Sequence, residues 1–463
     1  MDNFTNNKSM KRLIDKIKNE FNNVPDFKIK EIKISLTKKI YVIFLETLCD
    51  SNKINDYILK NLVKYNKRLD LNSNVPGPNT LFLEDYESII DAIYNGFTIV
   101  ISKSNIIAVE TRAEINRSIS ASTREPSLLG PEDSFVENYQ INMGLIKRRL
   151  KTSDLKSEEM FVGDKTKTLI SINYLDSKKN IEDITKIKRL ISEAQIEGLF
   201  DVGTLINLIE GENKSVFPTI RRTERPDAVT KSLLNGKIVI IVDTSPFAII
   251  IPTYLVDFIN PINDDYVKSI NVGFVKILRF LSFILSISMP GIFIAITNYN
   301  QETIPEDLLI NFSMQQSGVP FPAIVEIIIL LIICDILRES DLTFPSNFGS
   351  TISILGALII GEAAVNAGIV SPIMIIIASL TFITSLIFTE LEINNALRYY
   401  RYMFLFFASI LGLYGIFIAA MIFFINVTST HSLNSSYFYP IAPFNKKYFF
   451  ESVLKRKDKK ERT

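Results

Sequence analysis

The sequence predicts an α/β soluble domain built from two similar subdomains, followed by an α-helical domain of five apolar segments suited to a bilayer. Two observations predict it: polarity changes sharply near residue 270, and the order β, α, α, β-hairpin appears twice before that change. Phe280 to Thr297, Ser371 to Thr389 and Tyr402 to Val427 contain no Asp, Glu, Lys or Arg. Each is about as long as the roughly 20 residues that cross the hydrocarbon core of a membrane, or longer. A soluble fold of 47% hydrophobic residues has no need to segregate them in this way.

Met1 to Phe21 is dense in Lys, Arg, Asp and Glu and has no apolar core, so no secretory signal is expected and residues 1–38 read as a leader. The subdomains follow as residues 39–123 and 124–268, the second including a linker helix, then a membrane domain at 269–430 and a tail at 431–463. In the first subdomain, strand Ile40 to Phe44 leads to Asp50-Ser51 and a helical stretch through Val63. Helix Ser88 to Tyr94 closes on Asn95-Gly96, and Phe97 to Ser102 and Ile106 to Val109 form a hairpin rich in β-branched residues. The second subdomain repeats this: strand Thr168 to Leu175, Asp176-Ser177, helix through Ala194, helix Ala228 to Leu234 closed by Asn235-Gly236, and strands Lys237 to Val242 and Phe247 to Ile251. Between the two, Pro131-Glu132-Asp133 reads as the start of a helix ending in Lys147-Arg148-Arg149.

Aligning the copies places an insertion near Gly211 to Pro226. It holds Arg221, Arg222 and Arg225, a candidate interaction loop toward partner subunits or lipid headgroups, against the plainer reading of a solvated loop.

The five apolar segments are Phe274 to Thr297, Pro320 to Leu337, Phe348 to Val370, Ser371 to Thr389 and Tyr402 to Val427. Lys276 and Arg279 before the first, and Arg398 and Arg401 before the last, read as cytosolic flanks. A fifth crossing would then put the basic tail outside, against the same rule. Glu326, Asp335 and Glu362 lie inside these segments, where an ionised group is costly unless it faces a partner or water. Glu326 follows Pro322 and could complement a helix N-terminus, and Asp335, near Arg338 and Glu339, reads as interfacial. Ser353, Ala357 and Gly361 form one small-residue stripe and Gly356, Ala364 and Gly368 another, which lets helices approach closely. Glu362 and Asn366, one turn apart, could then face a shared polar space open to cations.

Enzyme chemistry is not expected, because no phosphate loop, nucleophile elbow or spaced acid pair occurs. With one histidine, His431, and two cysteines, Cys49 and Cys334, neither a metal, a cofactor nor a disulfide framework is expected. A net charge of +1 gives no overall footprint for nucleic acid.

Several motifs in order, Arg124-Glu125-Pro126, Phe217-Pro218, Thr223-Glu224-Arg225-Pro226-Asp227, Pro320-Phe321-Pro322, Ile336-Leu337-Arg338-Glu339 and Gly361-Glu362-Ala363-Ala364-Val365, resemble the A subunit of GerA-type spore germinant receptors. The resemblance runs from about Ile40 to Pro443. It departs from the family pattern at Leu331, where a further acid is usual, at Asp335, where Glu is usual, and at Ser436, where Pro is usual. The resemblance implies an inner-membrane subunit with a cytosolic N-terminal domain, partnered by a transporter-like B subunit and a lipoprotein C subunit. It also implies a homo-oligomer forming a nutrient-gated cation-release pathway. The alternative is a solute carrier whose membrane half binds and moves a small molecule, which would call for repeats and broken helices in that half; a membrane enzyme is a third class.

Overall fold

The computed structural model describes residues 7–35, 38–64, 79–83, 85–102, 105–113, 125, 129–211, 215–343, 361–388, 390–446 and 448–450. The chain divides into two compact units, one of Met1–Asn213 with Ile220–Thr253, the other of Lys214–Thr219 with Tyr254–Thr463.

The first unit holds two five-stranded antiparallel sheets. After helix α1 (Asn7–Glu20), the first sheet takes β1 (Phe27–Ser35), β2 (Lys38–Leu45), β3 (Thr80–Phe82), β4 (Phe97–Ile101) and β5 (Ile106–Glu110) in the order β1-β2-β4-β5-β3. The second takes β6 (Leu155–Val162), β7 (Thr168–Leu175), β8 (Arg221–Thr223), β9 (Ile238–Val242) and β10 (Ala248–Ile251) in the order β6-β7-β9-β10-β8. Strand for strand the two orders are the same.

The helices keep step. Ser51 to Lys64 is helical with a π-helical middle at Ile54–Leu59, and α2 (Tyr86–Tyr94) precedes β4. In the second copy α4 (Ile181–Glu193) and α5 (Val202–Glu210) precede β8, and α6 (Pro226–Leu234) precedes β9. Helices α2 and α6 both stop at Asn-Gly, with Gly96 at φ 79° and Gly236 at φ 81°. A Cβ on Gly96 would also stand 3.0 Å from the Leu48 carbonyl, so the left-handed turn and the close approach both call for glycine.

Four differences from the sequence reading have physical causes. Residues 1–38 are not a separate leader, because β1 pairs along its length with β2; its lysines at 28, 30 and 33 suit a sheet edge and masked the strand pattern. The short strands β3 and β8 escape notice because three residues carry no period. The linker helix α3 (Tyr139–Arg149) begins later than Pro131, where Asn138 accepts from the Ile141 N–H as its cap. The preceding backbone is held extended: Phe135 N–H donates to the Glu224 carbonyl, and the Asn142 side chain bonds both polar groups of Val136. Finally, the second unit starts at Tyr254 rather than 269 and takes in Lys214–Thr219.

The two sheets are joined through a buried ion pair, Lys147 with Asp26, and by Lys156 Nζ donating to the Glu20 carbonyl at 2.9 Å. Burial alone pushes the Asp26 carboxyl up, but the Lys147 ammonium and the Thr47 hydroxyl outweigh it and hold the group below the usual carboxylate range.

The second unit is helical: α7 (Leu255–Ile259), α8 (Ser269–Tyr299), α9 (Glu306–Ser317), α10 (Ala323–Thr343), residues 361–366, α11 (Pro372–Leu386), α12 (Leu391–Leu411) and α13 (Leu413–Ser429). Among the described residues one helix, Asn271–Tyr299 within α8, is long and apolar enough to cross a membrane, and α11 and α13 are shorter apolar helices. The stretch Tyr402 to Val427 is not one segment. Gly412, at φ 60°, ends α12, and α13 folds back so that Tyr400 meets Phe423 with ring centroids 5.0 Å apart. A Cβ on Gly415 would fall 1.9 Å from the Phe407 carbonyl, so the hairpin needs glycine there. After α13 the chain comes back toward α7, with Leu255 N–H donating to the Tyr437 carbonyl at 3.1 Å.

Candidate functional site

The chemistry of the second unit lies in the few charged side chains among its apolar helices. Arg401, on α12, is 2% exposed and donates from Nε to the Ser286 carbonyl of α8 at 2.9 Å. That carbonyl would ordinarily accept from residue 290, four positions on, but position 290 is Pro290 and has no N–H. A guanidinium thus satisfies the acceptor that a proline leaves open, in a setting where water is scarce.

Asp335 on α10 gathers the rest. Its Oδ2 accepts the Tyr402 hydroxyl at 2.8 Å, its Oδ1 lies 3.2 Å from Arg398 Nε, and Arg401 Nη1 is 4.0 Å away. The Arg398 contact is an ion pair without hydrogen-bond geometry, since that Nε is buried and has no acceptor aligned with it. Asp335, expected to be interfacial, is the carboxylate on which α10 and α12 converge. Arg398 and Arg401, read as flanking charges, are members of the same cluster. The proline four residues beyond a carbonyl was the readable signal, but its partner sits 115 positions away.

Glu326 is fully buried. Its Oε2 accepts from Ser371 N–H and Oγ–H at 2.8 and 2.9 Å, and its Oε1 has no hydrogen-bond partner. Ser371 is the N-cap of α11, so Glu326 does complement a helix N-terminus, though of a helix far along the chain. Just before it, the helical residues 361–366 end in a Schellman turn: Gly368 N–H reaches the Val365 carbonyl, Ile369 N–H reaches Ala364, and Gly368 sits at φ 63°. Gly368, expected on a packing stripe, lies in this turn, just beyond the helical residues 361–366.

Glu362 and Asn366 are both exposed, one turn apart on the same face. A Cβ on Gly361 would meet nothing within 4 Å, while Ala364 packs against the core around Ile327 and Leu331. Ser353, Gly356 and Ala357 lie outside the described residues. The proposed arginine loop is also revised. Arg221 and Arg222 sit on the edge strand β8, and Arg225 is buried with Nε and Nη2 on the Asp227 carboxylate at 3.1 and 2.6 Å. Arg221 pairs with Glu125, and Arg222 alone of the three is exposed. What sequence reasoning missed is the packing of Phe217, part of the second unit, which stacks on Tyr400 at 5.1 Å and touches Phe423 and Tyr437. Among the described residues no group of three or more His, Cys, Asp or Glu could hold a metal ion.

Comparison with known proteins gives a consistent picture. The family model "Bacillus/Clostridium GerA spore germination protein" matches residues 15–463. The chain is 32% identical over 448 residues to spore germination protein KA of Bacillus subtilis, covering 94% of this chain and 82% of that one. It is 31% identical to spore germination protein GerQA of Bacillus cereus, over 93% of this chain and 87% of the relative. It is 30% identical to the membrane protein YfkQ of Bacillus subtilis, over 88% and 81% respectively. Among solved structures, the N-terminal domain of the A subunit of the Bacillus megaterium germinant receptor GerK3 is similar at 26% identity with a TM-score of 0.38, covering 51% of this chain and 92% of that one.

Proposed function

The chain belongs to the GerA family of spore germination proteins, and from that premise we propose that it is the membrane-embedded A subunit of a nutrient-responsive germinant receptor. It works with a transporter-like B subunit and a lipoprotein C subunit, and performs no catalysis. Copies of the chain assemble around a gated cation-release pathway to which Glu362 and Asn366 contribute. Membrane embedding is supported by the apolar side chains that the second unit leaves exposed, among them Phe274, Ile277, Phe280, Tyr414, Phe417, Phe424 and Ile425. A cytosolic start to α8 is supported by Lys276 and Arg279 near its beginning, as the positive-inside rule asks of that face.

The single observation that carries the pathway is the exposure of Glu362 and Asn366 together on an apolar stretch. An acid on such a surface is stable only against water or another polar chain, and a ring of copies around an aqueous path supplies both. Glu362→Gln is expected to lower cation release at unchanged protein level, and Ala364→Leu to reduce assembly. Normal release per complex in the Gln variant removes Glu362 from the pathway.

One observation favours the carrier reading. The break between residue 366 and α11, with a buried acid at it, is the kind of discontinuous helix at which carriers bind ions or solutes. Purified protein in liposomes separates the two: conductance without solute counterflow supports the pathway, and saturable counterflow supports the carrier.

A further inference from the structure

Charge is segregated across the first sheet. Its order, β1-β2-β4-β5-β3, puts β1 and β3 at opposite edges. Residues 7–39, which form α1, β1 and the start of β2, hold ten Lys and Arg against four Asp and Glu, whereas residues 80–102, which form β3, α2 and β4, hold four Asp and Glu and no Lys or Arg. One edge is basic and the other acidic. Helix α1 buries Met10, Leu13, Ile14, Ile17 and Phe21, and it meets α2 where Tyr86 donates to Glu20 and Lys16 lies over the Tyr86 ring. Lys11 and Lys18, two turns apart, therefore lie on the flank turned from α2, on the side of β1 and its exposed Lys28, Lys30 and Lys33. At the other edge Asp85, Glu87 and Asp91 are exposed, and Leu81 and Phe82 on β3 are 50% and 55% exposed. Among the described residues Lys11, Lys18, Asp85, Glu87 and Asp91 form no ion pair.

Both edges also keep backbone groups for a partner. Glu46 N–H donates to the Asp26 carbonyl, so by the alternation of an antiparallel pair Lys28, Lys30 and Ile32 bond to β2, while Ile29 and Glu31 turn their N–H and C=O groups outward. Leu83 N–H donates to the Ile106 carbonyl, and the same alternation turns Thr80 and Phe82 outward from β3. Edge lysines bar β1 from pairing with another β1 and leave it open to an acidic edge. This copy's own β3 lies at the far side of the sheet, so a second copy is the partner that presents it.

We propose that copies of the chain associate head to tail through their first sheets, the edge of α1 and β1 in one copy against the edge of β3 and α2 in the next. Contact between two different edges generates a ring or an open filament rather than a closed pair, and a ring suits copies gathered around a path. The proposal rests on the reading that copies assemble, and its test keeps the two apart. Full-length protein is extracted in detergent and its assembly measured by native mass spectrometry. The wild type is expected to be an oligomer, and a monomer overturns the assembly reading and this contact together. Lys11→Glu with Lys33→Glu makes both edges acidic, and Glu87→Lys with Asp91→Lys makes both basic. Each variant alone is expected to weaken association about tenfold at an unchanged thermal midpoint, the size of a few exposed charge pairs turned repulsive. Mixing the two variants is expected to restore association as mixed oligomers, because every acidic edge then meets a basic one. Wild-type association by both variants overturns this contact and leaves assembly itself standing. Loss in both without recovery on mixing overturns the pairing of these two edges. Should either variant not be recovered, copies carrying Lys30→Cys and copies carrying Phe82→Cys, differently tagged, are treated with a short bis-maleimide: linkage of the two tags above the wild-type level supports the contact, and an intact oligomer without it overturns the contact.

Discussion

Arg225 and Arg401 are equally hidden, each 2% exposed, and their charges are compensated in opposite ways. Arg225 grips the carboxylate of Asp227, two residues on, with two nitrogens, and Asp227 sits in the first turn of α6, where the helix end also favours it. Arg401 has no such neighbour. It draws on a carbonyl of α8 left open by Pro290 and on a carboxylate of α10 that it shares with Arg398. The difference teaches that a buried charge can be neutralised within one turn of chain, or only after three helices have come together. The first kind survives any rearrangement that leaves the local chain intact. The second reports directly on whether α8, α10 and α12 are in register.

The largest expected effect follows from breaking the second kind. Arg401→Met leaves the Ser286 carbonyl without a donor and Asp335 with one arginine, and is expected to cost about 3–5 kcal/mol, the range for an opened buried pair. Thermal unfolding in detergent and recovered protein level measure it; a wild-type midpoint would show that Arg398 alone suffices. Arg225→Met should cost less, about 2–3 kcal/mol, because the α6 N-terminus still holds Asp227. If Arg225→Met proves the more damaging of the two, the contrast drawn above is wrong.

A double-mutant cycle sharpens the role of the proline. Pro290→Ala restores an N–H to the Ser286 carbonyl, so Arg401→Met should cost about 1 kcal/mol less in that background than in the wild type. Strict additivity would mean that the Arg401 bond to Ser286 contributes nothing. The smallest effect concerns the ion pair between the two sheets of the first unit. Asp26 is held below the usual carboxylate range, so between its folded value and the unfolded value of about 3.9 the unfolded chain binds more protons than the folded one. Its contribution is therefore present above about pH 4 and is lost as pH falls through the folded value. Urea unfolding from pH 7 downward should show this acid loss in the wild type and less of it in a chain carrying both Asp26→Asn and Lys147→Met. Identical acid profiles would rule the pair out as its source.

Much of the first unit could be read in the sequence because its signals are local. Asn95-Gly96 and Asn235-Gly236 stop helices by backbone conformation, and the β-branched runs after them form hairpins whose partners lie a few residues away. The strands that escaped, β1, β3, β6 and β8, are those whose pairing is the only evidence for them. In the second unit, Glu326 and Asp335 could be singled out as expensive residues, but what compensates each could not be read. The partner of Glu326 is 45 positions away at Ser371, and Tyr402 is 67 from Asp335. The partners of Phe217 escaped for the same reason: a lone aromatic in a polar loop has no period, and its ring neighbours, Tyr400, Phe423 and Tyr437, lie in the last part of the chain.

The sequence by itself determined the division of labour between a charged half and an apolar half, the duplicated order of strands and helices, and the proline that opens a hydrogen-bond acceptor at Ser286. Each of these depends on residues within a turn or a hairpin of one another, so hydrophobic period and backbone preference suffice. Only the tertiary structure decided that Arg401 would close that acceptor, that Asp335 would face two arginines, and that the last apolar stretch would fold back at Gly412 rather than run on. An unpaired carbonyl or carboxylate states a requirement without saying which of many donors will meet it, and that choice is made by which helices pack side by side.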